Sequence, residues 1–109
     1  MRPLQSVAGL AARTPLVELR SLSPTPGVRL FAKLEGANPT GSIKDRIVLR
    51  ILESAIRTGA LAPGQAIVEA STGNTGVALA MFGRLFGHPV EVCVPESVYP
   101  EIEALLSVH

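Results

Sequence analysis

The sequence predicts an α/β fold, a parallel sheet with helices on both faces. From residue 43 onward, the hydrophobic pattern alternates helix, strand, helix, strand, helix, which is typical of parallel strands joined by right-handed crossovers. The two strands in this alternation, 66–70 and 90–94, are short apolar runs of the kind found in a buried parallel sheet. Composition agrees, since 47% of the 109 residues are hydrophobic and only 4% are aromatic.

Two further strands are predicted ahead of this alternation. A short segment, 4–10, is predicted to be helical, and a proline then leads into a strand at 16–20. The stretch 21–27 contains two prolines and a glycine and is predicted to be a loop. Apolar residues recur with a period of two over 28–34, which indicates a strand. We expect these two strands to pair at one side of a sheet.

Three helices are predicted in the rest of the chain. The first begins near Ser42, because Ser42 and Asp45 have the spacing of a capping box, and it ends at Gly59. The second spans about 74–86 and the third about 98–106.

Composition and charge exclude several functions. The net charge is +1, with ten basic and nine acidic residues interspersed, so neither nucleic acid nor an anionic membrane is an expected partner. No apolar stretch is long enough to span a bilayer or to form a signal peptide, and we expect a cytoplasmic protein. The single cysteine, Cys93, is expected to be a small buried strand residue. His88 and His109 have no spaced acidic or thiol ligands around them and do not predict a metal site.

Lys44 lies in the first turn of the first helix, near the middle of its apolar arc at about 100° per residue. This arc contains Ile43, Ile47, Val48, Ile51, Leu52, Ala55 and Ile56. The opposite face contains Arg46, Arg50, Glu53 and Arg57. Desolvation disfavours the ammonium form of a lysine, and a neutral amine is the nucleophile that Schiff-base chemistry needs. The alternative is that Lys44 extends along the surface into solvent, and the helical pattern does not separate the two.

A second polar motif, Ser71-Thr72-Gly73-Asn74-Thr75-Gly76, lies between a predicted strand and a predicted helix. Small residues let the backbone approach a ligand closely, and the N–H groups at a helix start bind anions. Ligands of parallel sheets bind beyond the carboxyl ends of the strands, where this loop lies. The alternative is a polar turn in which Thr72 or Asn74 caps the helix. The glycine patterns of P-loop and Rossmann nucleotide sites are absent.

Together, the two motifs resemble one family. Asn-Pro-Thr-Gly-Ser-Ile-Lys-Asp-Arg at 38–46 is similar to the cofactor-lysine motif of the cysteine synthase and cystathionine β-synthase group, which are pyridoxal-phosphate enzymes of fold type II. Ser-Thr-Gly-Asn-Thr-Gly at 71–76 is similar to the substrate-carboxylate loop of that group. Thr-Pro-Leu-Val at 14–17 and Val-Pro-Glu at 94–96 resemble two further signatures. The resemblance spans nearly the whole chain and concerns the N-terminal portion of these enzymes.

This resemblance implies a site residue by residue. Lys44 would bind pyridoxal 5'-phosphate covalently and then act as the base that removes the substrate α-proton, and Asn74 would hydrogen-bond the hydroxyl oxygen of the cofactor ring. The substrate carboxylate would be held by Ser71, Thr72, Asn74 and Thr75. The implied reaction is β-replacement, in which a leaving group departs from a serine derivative such as O-acetylserine, and sulfide or a thiol takes its place. A small amino-acid substrate and a homodimer are implied as partners.

The resemblance also implies a domain division. Residues 1–40 correspond to an N-terminal arm that belongs to the larger domain, and 41–109 correspond to the smaller domain that carries the cofactor lysine, incomplete at its C-terminus. In the family, the glycine-rich loop for the cofactor phosphate and the Ser or Thr at the pyridine nitrogen lie further along a longer chain. We therefore expect the 109 residues alone to bind the cofactor weakly and not to turn over.

Two alternatives to this function remain. The group usually has Thr-Ser where this chain has Ser71-Thr72. The order found in this chain, Ser-Thr, also resembles threonine synthases. Threonine synthase or serine/threonine dehydratase chemistry on the same fold is therefore one alternative. The stretch 97–103 is acidic where the group is commonly basic, which leaves the co-substrate open. The other alternative is a short, non-catalytic binding or interaction module.

Overall fold

A computed structural model describes residues 6–108 of the chain. Its strands are β1 (Leu16–Glu18), β2 (Phe31–Lys33), β3 (Ile67–Ala70) and β4 (Val90–Cys93), and its helices are α1 (Lys44–Thr58), α2 (Asn74–Leu85) and α3 (Pro100–Val108). The helical segment predicted for 4–10 is a 3-10 turn, Val7–Gly9, and its first two residues lie outside the described range. None of the helices within 6–108 has the length and apolar character needed to cross a membrane.

β3 and β4 form the parallel sheet, with α2 as the crossover between them. Ile67 pairs with Val90 and Ala70 pairs with Cys93, so the carboxyl ends of both strands lie at the same edge. The order helix, strand, helix, strand, helix from α1 to α3 is as predicted. The α/β class predicted from the alternation is therefore confirmed.

The core lies around α2, which packs on α1 on one side and on β3 and β4 on the other. Because both sides of α2 are covered, seven of its twelve residues are buried. The core cluster combines residues of α1, α2 and the segment after the first turn: Ala11, Val48, Leu49, Leu52, Ala78, Leu79 and Phe82.

Only one face of the parallel sheet is covered in the part of the chain that the structure describes. Side chains alternate between half-buried and exposed along both strands, and Val68 on the open face is 63% exposed. Cys93 also lies on this face and is exposed. The expectation that Cys93 is buried is therefore wrong, because α2 covers only the opposite face.

β1 and β2 pair antiparallel, with Leu16 opposite Lys33 and Glu18 opposite Phe31. The pairing is as predicted, but the two strands form a sheet of their own and do not flank β3 and β4. Both strands are also shorter than predicted. Their apolar side chains, including Leu16, Val17 and Phe31, are exposed. The strands are short because these side chains do not pack into a core that would stabilise a longer pairing.

The buried stripe of α1 matches the predicted apolar arc only in part, because it includes Leu49, which lies outside that arc. Val48, Leu49 and Leu52 are buried, whereas Ile43, Ile47 and Ile51 are about half exposed. The hydropathy pattern shows which sides of a helix are more apolar, but the position of α2 decides which side of α1 is buried. The helix ends as predicted at Gly59, whose φ of 77° is the left-handed conformation that favours glycine at a helix C-terminus.

Two glycines let α2 lie close to β4. A Cβ atom added at Gly76 would lie 2.7 Å from Val92 Cγ1, and one added at Gly83 would lie 2.2 Å from Val90 Cγ2. No carbon pair tolerates such distances, so a larger residue at either position must push the helix or the valine aside.

Replacing Gly83 with alanine is expected to lower the free energy of unfolding by about 1–3 kcal/mol. The strain of overpacking against Val90 outweighs the better helix propensity of alanine, which is about 1 kcal/mol. Urea unfolding followed by circular dichroism measures the change. Gly36→Ala is the matched control, because a Cβ atom there meets nothing within 4 Å. Equal losses in both variants would contradict the expectation.

Candidate active site

Lys44 is the first residue of α1 and is half-buried. Its backbone N–H donates to Ser42 Oγ at 3.2 Å, while its side chain makes no hydrogen bond or ion pair with another described residue. The only other lysine in the sequence, Lys33, donates from Nζ to the Thr14 carbonyl oxygen. Of the two lysine amines, Lys44 therefore has the one that is left for a ligand.

Asp45, the next residue, is fully buried, with 0% exposure. Its carboxylate accepts the backbone N–H of Thr40 at 2.7 Å and also the Thr40 hydroxyl. The predicted capping box, in which Asp45 would reach back to Ser42, is therefore wrong in its partner. Asp45 instead closes the turn 40–45, which contains Lys44.

Arg46 forms a two-point ion pair with Glu35, with Nε and one terminal nitrogen each 2.7 Å from a carboxylate oxygen. The hydroxyl of Thr14 donates to Glu35 at 2.9 Å, and the side-chain amide of Asn38 donates to it at 2.8 Å. We call Thr14, Glu35, Asn38 and Arg46 the Glu35 cluster. The charged outer face predicted for α1 is wrong at Arg46, which is turned toward the segment before the helix.

Asn38 links the Glu35 cluster to the N-terminal segment. Its side-chain oxygen accepts the N–H of Ala12 at 2.9 Å, and Asn38 and Thr14 are both buried. Asn38 belongs to the lysine motif at 38–46, but the motif alone does not indicate a role for it. The polar residues just before α1 were the available signal, but their partners are 21 to 32 residues apart in sequence, beyond the reach of any local pattern.

The Arg46 guanidinium lowers the pKa of the Glu35 carboxyl from 4.5 to about 2, and the hydrogen bonds from Asn38 and Thr14 act in the same direction against the effect of burial. A carboxyl whose pKa is lower in the folded state stabilises the fold above its unfolded pKa. The contribution of Glu35 is thus complete above pH 4.5 and is lost as the pH falls to about 2.

A Glu35→Gln variant is therefore expected to differ most from the parent protein above pH 4.5 and least near pH 2. Urea midpoints measured at several pH values provide the two curves, which should converge as the pH falls. Glu53→Gln is the matched control, since Glu53 pairs with Arg50 at 3.4 Å on the exposed side of α1. A constant offset between Glu35→Gln and the parent at all pH values would show that this ion pair does not titrate as described.

The polar loop at 71–73 joins β3 to α2 at the carboxyl edge of the sheet. Ser71 is turned inward, and its Oγ accepts the N–H of Gly76 at 3.0 Å and that of Gly73 at 3.3 Å. The N-cap residue of α2 is Gly73. The Ser71 hydroxyl, and neither the Thr72 nor the Asn74 side chain, accepts an N–H of the first turn of α2. The side chains of Thr72, Asn74 and Thr75 make no hydrogen bond within residues 6–108, and they lie beside N–H groups that a helix start leaves unpaired.

Ser71→Ala is expected to lower the free energy of unfolding by about 1 kcal/mol, the usual effect of losing a side chain that caps a helix. Thr72→Ala is the control from the same loop and should leave stability unchanged. Thermal unfolding of the two variants side by side measures the difference. If Ser71→Ala unfolds like the parent, its hydroxyl is not needed to hold the loop.

Lys44 and the loop lie on neighbouring elements, because α1 packs on α2. No hydrogen bond joins them within the described residues. A cleft of about 730 Å³ lies apart from both, lined by α2, β4 and α3, including His88 and Glu103. His88 is buried there, with Nδ1 3.0 Å from the Gln65 carbonyl oxygen, while His109 lies outside the described range.

Comparison with known proteins identifies the family. The family model described as pyridoxal-phosphate-dependent enzyme matches residues 7–108. The chain belongs to this family. The resemblance inferred from the two motifs is thereby confirmed, together with the fold class. Pyridoxal phosphate is the cofactor of the family.

Curated relatives and solved structures add detail. Cysteine synthase B of Salmonella typhimurium is 38% identical over all of this chain and 35% of its own length. The O-acetylserine-dependent cystathionine β-synthase of Bacillus subtilis is 38% identical over 97% of this chain and 34% of its own length. The crystal structure of O-ureido-L-serine synthase has 33% identity and a TM-score of 0.89 over 98% of this chain and 34% of that chain. The chain thus spans about a third of the length of these relatives.

The residues present fit one side of a pyridoxal phosphate site. An aldehyde condenses with a primary amine, and the amine of Lys44 has no partner within residues 6–108. A carboxylate needs N–H and hydroxyl donors at a helix start, and the beginning of α2 has both. The resemblance assigns Lys44 and Asn74 to the cofactor, and the side chains of Thr72, Asn74 and Thr75 have no hydrogen-bond partner among the described residues.

Proposed function

We propose that this chain provides the cofactor lysine and the substrate-carboxylate loop of a pyridoxal-phosphate enzyme that performs β-replacement on a serine derivative. The observation that carries the proposal is the Lys44 amine, which has no partner among the described residues and lies within a cofactor-lysine motif. The relatives support the reaction class, since their names include cysteine synthase and an O-acetylserine-dependent cystathionine β-synthase.

In this proposal, pyridoxal phosphate supplies the electron sink for chemistry at the α-carbon of the substrate. Lys44 would hold the cofactor through its Nζ atom, and the same atom would accept the α-proton of the substrate. The Thr72 and Thr75 hydroxyls, the Asn74 amide and the N–H groups at the start of α2 orient the substrate carboxylate. Ser71 contributes indirectly, by holding the shape of the loop through Gly73 and Gly76.

The experiment that tests the proposal is reduction with borohydride in the presence of pyridoxal phosphate, followed by peptide mass mapping. Condensation of the amine with the cofactor aldehyde releases water, and hydride from borohydride then fixes the product as a stable secondary amine. The trap captures even a weakly held cofactor. We expect the label on Lys44 and little on Lys33, the other lysine of the chain. Equal labelling of the two lysines would overturn the proposal.

A second assay addresses the reaction class, and it uses a protein of the relatives' full length that contains this chain, because the 109 residues alone are not expected to turn over. Formation of a β-substituted alanine from O-acetylserine and sulfide supports β-replacement, whereas turnover of O-phosphohomoserine supports threonine synthase chemistry. The homodimer implied by the family resemblance is also part of the proposal, and analytical ultracentrifugation over a range of protein concentrations tests it.

A further inference from the structure

Lys44 is followed directly by two residues that are held in place in the first turn of α1. Asp45 is held by Thr40, and Arg46 is held by Glu35. Successive residues of a helix project about 100° apart, so these two side chains fix the first turn from two directions. The Lys44 side chain projects in a third direction and has no partner among the described residues.

The ion pair between Arg46 and Glu35 constrains both the distance and the relative orientation of the two side chains. Its two contacts are both 2.7 Å, and Arg46 and Glu35 have only 30% and 18% of their side chains exposed. Arg46 also donates to the Thr14 hydroxyl at 3.0 Å. A planar guanidinium that meets both oxygens of a carboxylate fixes orientation as well as distance.

A second arginine pair on α1 offers a direct contrast. Arg50 and Glu53 are joined by one contact of 3.4 Å, with 84% and 45% of their side chains exposed. Exposed pairs of this kind contribute little. Arg50 lies one helical turn after Arg46, so it serves as a matched control for charge and residue type.

The Glu35 cluster joins three parts of the chain at the start of α1. Glu35 lies in the 3-10 turn that follows β2, Thr14 precedes β1, and Asn38 binds the N–H of Ala12. The ion pair closes the segment 35–46, within which Lys44 is the one residue proposed to react. A displacement of about 1 Å at a reacting group can cost up to about a hundredfold in rate.

We propose that Glu35 and Arg46 are positioning residues, which set the place of the Lys44 amine through the first turn of α1. The proposal rests on the function proposed above for Lys44. Neither residue touches the cofactor in this account. Their effect is transmitted through the backbone between Glu35 and Arg46.

Site-resolved labelling tests the proposal. The rates of borohydride-fixed labelling by pyridoxal phosphate are measured separately for Lys44 and Lys33 in the parent protein and in the Arg46→Ala, Arg46→Lys and Arg50→Ala variants. We expect Arg46→Ala to lower the Lys44 rate about tenfold and Arg50→Ala to match the parent. Arg46→Lys keeps the charge but not the two-point contact, so it should recover only part of the rate.

Three outcomes would overturn the proposal. The first is a Lys44 rate in folded Arg46→Ala equal to that in Arg50→Ala, and the second is full recovery by Arg46→Lys, which would indicate an effect of charge alone. Equal labelling of the two lysines in the parent would remove the proposed function and this inference with it. Circular dichroism shows whether each variant is folded. If Arg46→Ala does not fold, Glu35→Gln takes its place, with Glu53→Gln as its control and the same expected loss at Lys44.

Discussion

Replacing Lys44 with alanine is expected to abolish specific labelling by pyridoxal phosphate and borohydride. The chain has two lysines, and the Nζ atom of Lys33 already donates to the Thr14 carbonyl oxygen. The Lys44 amine is half-buried at the start of α1 and has no partner among the described residues. Intact mass after reduction, with the labelled peptide identified by fragmentation, measures the loss.

Two control variants make this result specific. Lys33→Ala should leave the label in place, because its amine is not the reacting one. Lys44→Arg keeps a cation at the position but has no amine that can condense with an aldehyde, so it should also lose the label. Retention of the label in Lys44→Ala would contradict the assignment, and the peptide map would show which amine had reacted instead.

Replacing Asp45 with alanine is expected to lower the free energy of unfolding by about 3 kcal/mol, as for a buried, charged acceptor removed from its donors. Asp45 has 0% exposure, and both the N–H and the hydroxyl of Thr40 donate to it. Without the carboxylate, the Thr40 N–H is left without its acceptor. Urea unfolding at neutral pH measures the loss.

The amide variant Asp45→Asn separates shape from charge. An asparagine keeps one carbonyl oxygen for the Thr40 N–H, and the Thr40 hydroxyl can rotate to accept from its NH₂ group. We therefore expect a loss of only about 1 kcal/mol for this variant. Glu53→Ala, on the exposed side of the same helix, should change stability by about 0.5 kcal/mol or less. If Asp45→Ala were as mild as Glu53→Ala, the closed turn before Lys44 would not depend on this carboxylate.

The order of elements could be predicted from the sequence because α2 and the strands beside it have strong patterns of their own. The apolar runs at 66–70 and 90–94, and the glycines that end the helices, fix where each element stops. The face of α1 could not be predicted in the same way. The predicted arc contains both Ile47 and Val48, but only Val48 is buried. Leu49, which lies outside the arc, is also buried, and so is Asp45.

The candidate site could likewise be predicted only in part. Lys44 and the loop at 71–76 could be found because each is a short, contiguous motif. The inward turn of Ser71 could not, since it depends on the N–H of Gly76 five residues later. The pairing of Glu35 with Arg46 across eleven residues depends on the path of the chain between β2 and α1. The exposure of Cys93 could not be predicted either, because a strand pattern does not reveal how many faces of the sheet are covered.

Because α2 lies close to β4, the space that a side chain at Gly76 or Gly83 would need is already filled by a valine. The two pairs are Gly76 with Val92 and Gly83 with Val90. A larger side chain at one member of a pair fits only if the other member is replaced by a smaller one, so the effects of mutations at the two positions depend on each other. Among natural sequences of this fold, a larger residue on the helix should therefore occur together with a smaller one on the strand. Engineering of the interface has to change both members of a pair at once.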